Sequence, residues 1–100
     1  MNKSAHQLLT IVTESALEPM LIEDIESLGA NGYTIVDARG KGSKGVRSGG
    51  WDANANIRVE VICNHDVADK ISKHLQEKYY KDYAMVLFSH DVNVLRPEKF

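Results

Sequence analysis

Apolar residues recur along the chain with two different periods, and the switches between them mark out six elements. Leu8 to Val12 is a short, nearly continuous apolar run, the pattern of a central strand covered on both faces. Ser15 with Glu18 three residues on reads as a capping box, with Pro19 slightly deeper in the helix than proline prefers. Leu17, Leu21, Ile25 and Leu28 then form one helical stripe, which Gly29 ends. Thr34 to Ala38, T-I-V-D-A, is a short second strand. Ile57, Val59, Val61 and Cys63 alternate with Arg58, Glu60 and Ile62, giving a third strand with one apolar and one mostly polar face. Asn64 is a good N-cap, Asp66 suits the positive end of the helix dipole, and Val67, Ile71, Leu75 and Tyr79 make the stripe of a second helix. Ala84 to Phe88 is the fourth strand, and Val92 to Phe100 leaves room for a short edge strand.

The order strand, helix, strand, strand, helix, strand predicts an α+β fold of the ferredoxin-like βαββαβ type, a sandwich of four antiparallel strands with both helices on one face. Two helices cover a single face, yet the dense apolar runs of the first and fourth strands require burial on the other as well. Another copy of the chain is the expected cover, which would allow a site between subunits.

The connection between the second and third strands is about sixteen residues, far beyond the two to five of an ordinary hairpin. Arg39 to Gly50 reads R-G-K-G-S-K-G-V-R-S-G-G and holds five of the chain's seven glycines, four of its twelve Lys and Arg residues and no acid. Flexible backbone rich in N–H donors, with cations interspersed, is the chemistry of an anion site, phosphate above all. The run is not a Walker A loop and lacks the third glycine of the dinucleotide fingerprint. Taken alone, it fits a solvated hairpin connection equally well.

At 100 residues the chain is one domain, small enough to gain from oligomerisation. The net charge of −2 hides an asymmetry, because the four loop cations leave the remainder strongly acidic. That profile argues against a generally basic nucleic-acid binder. An RNA-recognition module is disfavoured on a second ground: it would need stacking aromatics in the first and third strands, and Leu8 to Val12 and Ile57 to Cys63 contain none. Cys63 stands alone and reads as a small buried hydrophobe in a reducing compartment. The segment M-N-K-S-A-H-Q has no signal-peptide core, and no apolar run approaches membrane-spanning length, so a soluble cytoplasmic protein without membrane insertion is expected.

The remaining polar residues offer little chemistry. His6, His65, His74 and His90 show no tight metal-ligand spacing, so no metal is expected. Glu23, Asp24 and Glu26 read as a solvated helix face. Ser43 and Ser48 lack a His–Asp arrangement that would make a nucleophile. Trp51 ends the loop, packing on the sheet edge or meeting a partner.

The run G-Y-T-I-V-D-A-R-G-K-G-S-K-G-V-R-S, Gly32 to Ser48, resembles the second strand and T-loop start of PII-like signalling proteins linked to inorganic-carbon uptake. The likeness continues through L-L-T-I-V-T-E (Leu8 to Glu14), N-I-R-V-E-V (Asn56 to Val61) and D-Y-A (Asp82 to Ala84). It implies a non-catalytic homotrimer without a cofactor, with an adenine nucleotide in each of three intersubunit clefts, a T-loop at about 40–55 that contacts a target, and a short C-terminal tail at 92–100. Carried over, Gly40, Lys41, Gly42 and Ser43 would cradle phosphate and Arg47 would reach it as a cation. Thr34 would lie near the ribose, and Leu87, Phe88 and Ser89 would line the adenine.

The T-loop glutamine and tyrosine of nitrogen-sensing members are missing between Gly40 and Ala55, and the paired tail arginines are reduced to Arg96. The cysteine-containing extension of the cyanobacterial, bicarbonate-transporter-associated group has no counterpart up to Phe100. The carboxysome-associated subgroup is therefore the nearer one, with ADP or AMP and bicarbonate as the implied ligands. Lys44, Arg58 or loop N–H groups would hold the bicarbonate, and a bicarbonate transporter or a carboxysome-associated protein would be the partner. The alternatives are a cyclic-AMP/AMP-sensing regulator of a bicarbonate transporter, a small acyl phosphate hydrolase on the same fold, and a module whose loop contacts only protein.

Overall fold

The computed structural model describes residues 5–40 and 55–100. Strand β1 (His6–Glu14) is followed by a 3-10 turn (Ser15–Leu17) and helix α1 (Glu18–Ser27). Then come β2 (Thr34–Ala38), β3 (Asn56–Asn64), α2 (His65–Tyr79), β4 (Val86–Val92) and a final 3-10 turn (Pro97–Lys99). The strands form one antiparallel sheet in the order β2-β3-β1-β4. This is the ferredoxin-like α+β arrangement that the pattern predicts.

Strand register decides which residues make the core. β1 and β3 pair Leu9 with Val61, Ile11 with Val59 and Thr13 with Ile57, and these six side chains all point towards the helices. They are fully or almost fully buried, with Leu17, Leu21 and Ile25 packed on them from α1 and the turn before it and Ala68, Ile71, Leu75 and Tyr79 from α2. Each such Leu or Ile contributes about 1.5–3 kcal/mol by leaving water. Cys63 lies in this layer, and burial pushes its thiol from an ordinary 9.0 up to about 11.

The helix ends follow local chemistry, with one departure from the sequence pattern. Asn64 caps α2: its side-chain oxygen accepts from the Val67 N–H at 2.8 Å. Asp66 in the first turn and Lys78 in the last complement the helix dipole. At the other helix, the expected Ser15–Glu18 capping box does not form. Ser15 opens a 3-10 turn, its N–H bonds the Ala55 carbonyl at 2.9 Å, and α1 starts only at Glu18 without a side-chain cap. Pro19 then sits in the first turn, where the missing N–H has no partner to lose. Gly29 closes α1 at φ +113°, and a Cβ there would lie 3.3 Å from a Val67 methyl carbon.

The fourth strand starts at Val86, two residues later than the apolar run suggests, because Ala84 and Met85 belong to the approach and Met85 drops into the core. A turn holds this approach, with the Tyr83 N–H bonded to the Tyr79 carbonyl at 2.9 Å. The tail adds no strand among the described residues. Pro97, which lacks an N–H, lies instead in the closing 3-10 turn.

Asp24 is a tie between the helices and not the solvated residue its acidic neighbours suggest. Its carboxylate accepts from the Tyr79 hydroxyl at 2.6 Å and from Lys78 Nζ at 3.0 and 3.1 Å, with His74 Nε2 at 3.6 Å. Partial burial raises its pKa, but the Tyr79 and Lys78 hydrogen bonds outweigh that and hold it below the usual value. Burial, reinforced by the bond to Asp24, pushes Tyr79 up to about 12.

These contacts set two expectations. Asp24→Asn should lower stability near neutral pH by about 1–3 kcal/mol, measured by denaturant unfolding. Because the folded-state pKa is depressed, the contribution is present above the ordinary carboxylate value of about 3.9 and fades as pH falls through the lowered one, so the variant should lose less stability on acidification than the wild type. A pKa near 11 leaves the Cys63 thiol with about a hundredfold less thiolate than an ordinary one, so a thiol reagent should modify native protein at least that much more slowly than urea-unfolded protein.

Candidate functional site

The root of the long loop is built by the β2–β3 hairpin, whose register runs from Thr34 opposite Glu60 to Ala38 opposite Asn56. Arg39 and Gly40 continue past the last pair and are exposed, and a Cβ on Gly40 would meet nothing within 4 Å. On the return side, Asn56 is buried and the Ala55 carbonyl is held by the Ser15 N–H. The turn that leads into α1 therefore fixes where the chain leaves the loop. Lys41, Gly42, Ser43, Lys44 and Arg47 lie outside the described residues.

The other candidate residues are split between the two edges of the sheet. Thr34 opens β2 at one edge, and Leu87, Phe88 and Ser89 lie on β4 at the other. The row through Thr34 runs Thr34, Glu60, Thr10, Phe88, so three strand spacings, about 14 Å, separate its ends. Along β4 the side chains alternate. Leu87 faces the helices and packs on the core, Ser89 is exposed on the same side, and Phe88 faces away with 51% of its surface exposed. A single chain thus does not bring Thr34 and the β4 segment together. One contact has no signal in the sequence: the Tyr80 hydroxyl accepts the Leu87 N–H at 3.3 Å, occupying a backbone donor at the edge of the sheet.

The sheet face turned away from the helices is covered by neither helix, although Thr10 at its centre is buried. Its rows bring Val36, Arg58, Val12 and Val86 side by side, then Thr34, Glu60, Thr10 and Phe88, then Ile62, Leu8 and His90. Val36 and Val86 are 38% and 53% exposed, as expected of a face that awaits a cover. Arg58 lies in the middle of it, with Nε 3.3 Å from Glu60 Oε2.

Further polar contacts tie local structure together. His65 Nε2 lies 3.5 Å from Asp91 Oδ1, which also accepts from Gln7 Nε2 at 3.2 Å. Asn31 Nδ2 donates to the Phe100 carbonyl at 3.2 Å, bringing the tail from β4 to the segment before β2. Among the described residues no three His, Cys, Asp or Glu side chains are grouped to hold a metal ion, and no helix is long and apolar enough to cross a membrane.

Known proteins share this arrangement. The family model of the nitrogen regulatory protein P-II matches residues 6–99. A chain described as a PII-like signalling protein of Thermus thermophilus is 46% identical and superimposes with a TM-score of 0.82, covering 100% of this chain and 99% of its own. CPII of Thiomonas intermedia, in a structure bound to ADP, AMP and acetate, is 26% identical with a TM-score of 0.83, at 100% and 98% coverage. A second CPII structure, bound to ADP and bicarbonate, gives 29% identity and a TM-score of 0.80 over 95% and 93% of the two chains. The fold, the loop root and the family match agree, and the chain belongs to the family of the nitrogen regulatory protein P-II.

Proposed function

We propose that this protein is a non-catalytic cytoplasmic regulator that binds ADP or AMP between the subunits of a homotrimer, with bicarbonate as a second small anion. The observation that carries this reading is the split of the candidate residues between opposite sheet edges, in a chain whose relative CPII is bound to ADP, AMP and bicarbonate. In a ring of like subunits, the β2 edge of one chain, with Thr34 and the loop root, meets the β4 edge of the next, with Leu87 to Ser89. Each cleft then combines residues that no single chain brings together.

Each part of the nucleotide would be met by a different chemistry. Gly40, Lys41, Gly42 and Ser43 would cradle the phosphates through backbone N–H groups and a hydroxyl, with Arg47 as the charge-assisted donor. Thr34 would lie by the ribose, and the β4 segment by the adenine. Bicarbonate would be held at the loop by Lys44 and backbone N–H groups. Arg58, the other candidate cation, is already paired with Glu60. An ordered loop would then present a surface to a protein of inorganic-carbon uptake or carboxysome-linked carbon fixation, which couples ligand state to a target.

Calorimetric titration of ADP, with and without bicarbonate at matched pH and ionic strength, tests this reading. ADP should bind more tightly in bicarbonate, and bicarbonate more tightly with ADP by the same factor. Equal binding in both buffers would remove bicarbonate from the scheme, and absence of ADP binding would remove the nucleotide. Arg47→Ala should weaken ADP binding by about 1.5–3 kcal/mol, and unchanged affinity in that variant would sink the phosphate assignment.

A further inference from the structure

We infer that the Arg58–Glu60 pair governs how copies of this chain pack on the open sheet face, and that Arg58 affects ligand binding only through that packing. The inference rests on the intersubunit reading above. The pair is formed within one chain, at 3.3 Å, with the two side chains 48% and 32% exposed. Register sets Arg58 between Val36 and Val12, and Glu60 between Thr34 and Thr10. Among the described strand residues, Arg58 is the only Lys or Arg on this face.

The occupant of the face is a second copy. The face runs without a break from the edge that carries Thr34 to the edge that carries Phe88, so a copy completing a cleft at either edge also meets it. Val36, Val86 and Phe88 are the large apolar groups such a copy would cover. Covering them also takes Arg58 and Glu60 out of water. As a neutralised pair the two can be enclosed at modest cost, and either one alone would leave an uncompensated charge in an apolar contact. With its Nε turned to its own carboxylate, the guanidinium has less to offer a mobile anion.

The test compares the wild type with Arg58→Met, Glu60→Met and the double variant by sedimentation over a concentration series. ADP is then titrated, with and without bicarbonate, at concentrations where each protein is assembled. Each single variant should dissociate at protein concentrations about a hundredfold above the wild type, while the double variant stays within about threefold of it. Once assembled, the double variant should bind ADP and respond to bicarbonate as the wild type does. Single variants that assemble like the wild type would overturn the inference, as would an assembled double variant that has lost the bicarbonate response. If a single variant fails to fold, as read by circular dichroism, the double variant decides by its assembly and its bicarbonate response. A wild type that stays monomeric throughout would overturn the intersubunit reading itself, an outcome distinct from a trimer indifferent to the pair.

Discussion

The central pairing of β1 with β3 is the constraint on which the rest of this structure depends. Side chains alternate across a strand, so the register that sets Leu9 opposite Val61 and Ile11 opposite Val59 sends one set of residues to the helices and the other to the open face. A slip of one residue would exchange the two sets and expose the core. Both helices are committed to one side, with Leu21 and Ile25 from α1 and Ile71 and Leu75 from α2 fully buried there. Neither helix is left to cover the other side, where Val36, Val86 and Phe88 stand exposed, and a partner is the natural cover.

The same topology divides the candidate binding residues. With β3 and β1 at the centre, β2 and β4 must be the edges, and the residues they carry are kept apart by the width of the sheet. Under the proposed reading, a ligand that touches both edges can bind only to assembled chains, so ligand binding and assembly strengthen each other by mass action. For a domain of 100 residues, whose single-chain core is modest, such linkage would make the ligand part of what holds the particle together.

Much of the fold was legible in the sequence because hydrophobic period and caps are local signals. The stripe from Val67 to Tyr79 and the Asn64 cap define α2 without tertiary information, and the alternation from Ile57 to Cys63 gives β3 and its faces. The misreadings have local causes too. The Ser15–Glu18 spacing imitates a capping box, but the Ser15 N–H is drawn to Ala55, a residue brought near only by the β1–β3 pairing. Met85 looks like part of a strand because the core takes it, whatever its backbone does. Asp24 looks solvated among Glu23 and Glu26 because its partners Lys78 and Tyr79 lie more than fifty residues away. Of the candidate site, the loop was visible from composition, since glycine and cation density need no fold. The separation of Thr34 from Leu87 to Ser89 was not visible residue by residue, because it depends on strand order.

Arg58 shows how a cation in the right neighbourhood for a ligand can already be engaged by its own strand. By sequence it is a cation close to an anion-binding loop, and on β3 it follows Asn56, the last residue paired at the loop root, as the next position facing the same way. Yet an anion approaching it must compete with Glu60, whose carboxylate lies 3.3 Å from the guanidinium and is fixed there by the same strand. Carboxylate and bicarbonate each carry a single charge and offer similar oxygen acceptors, but the carboxylate is tethered and pays no association entropy. Under the proposed reading the tethered partner is favoured, and recognition of a free anion falls to groups without such a competitor. In this chain those are best sought among the backbone N–H donors and cations that follow Gly40, where the sequence carries no acid before Asp52.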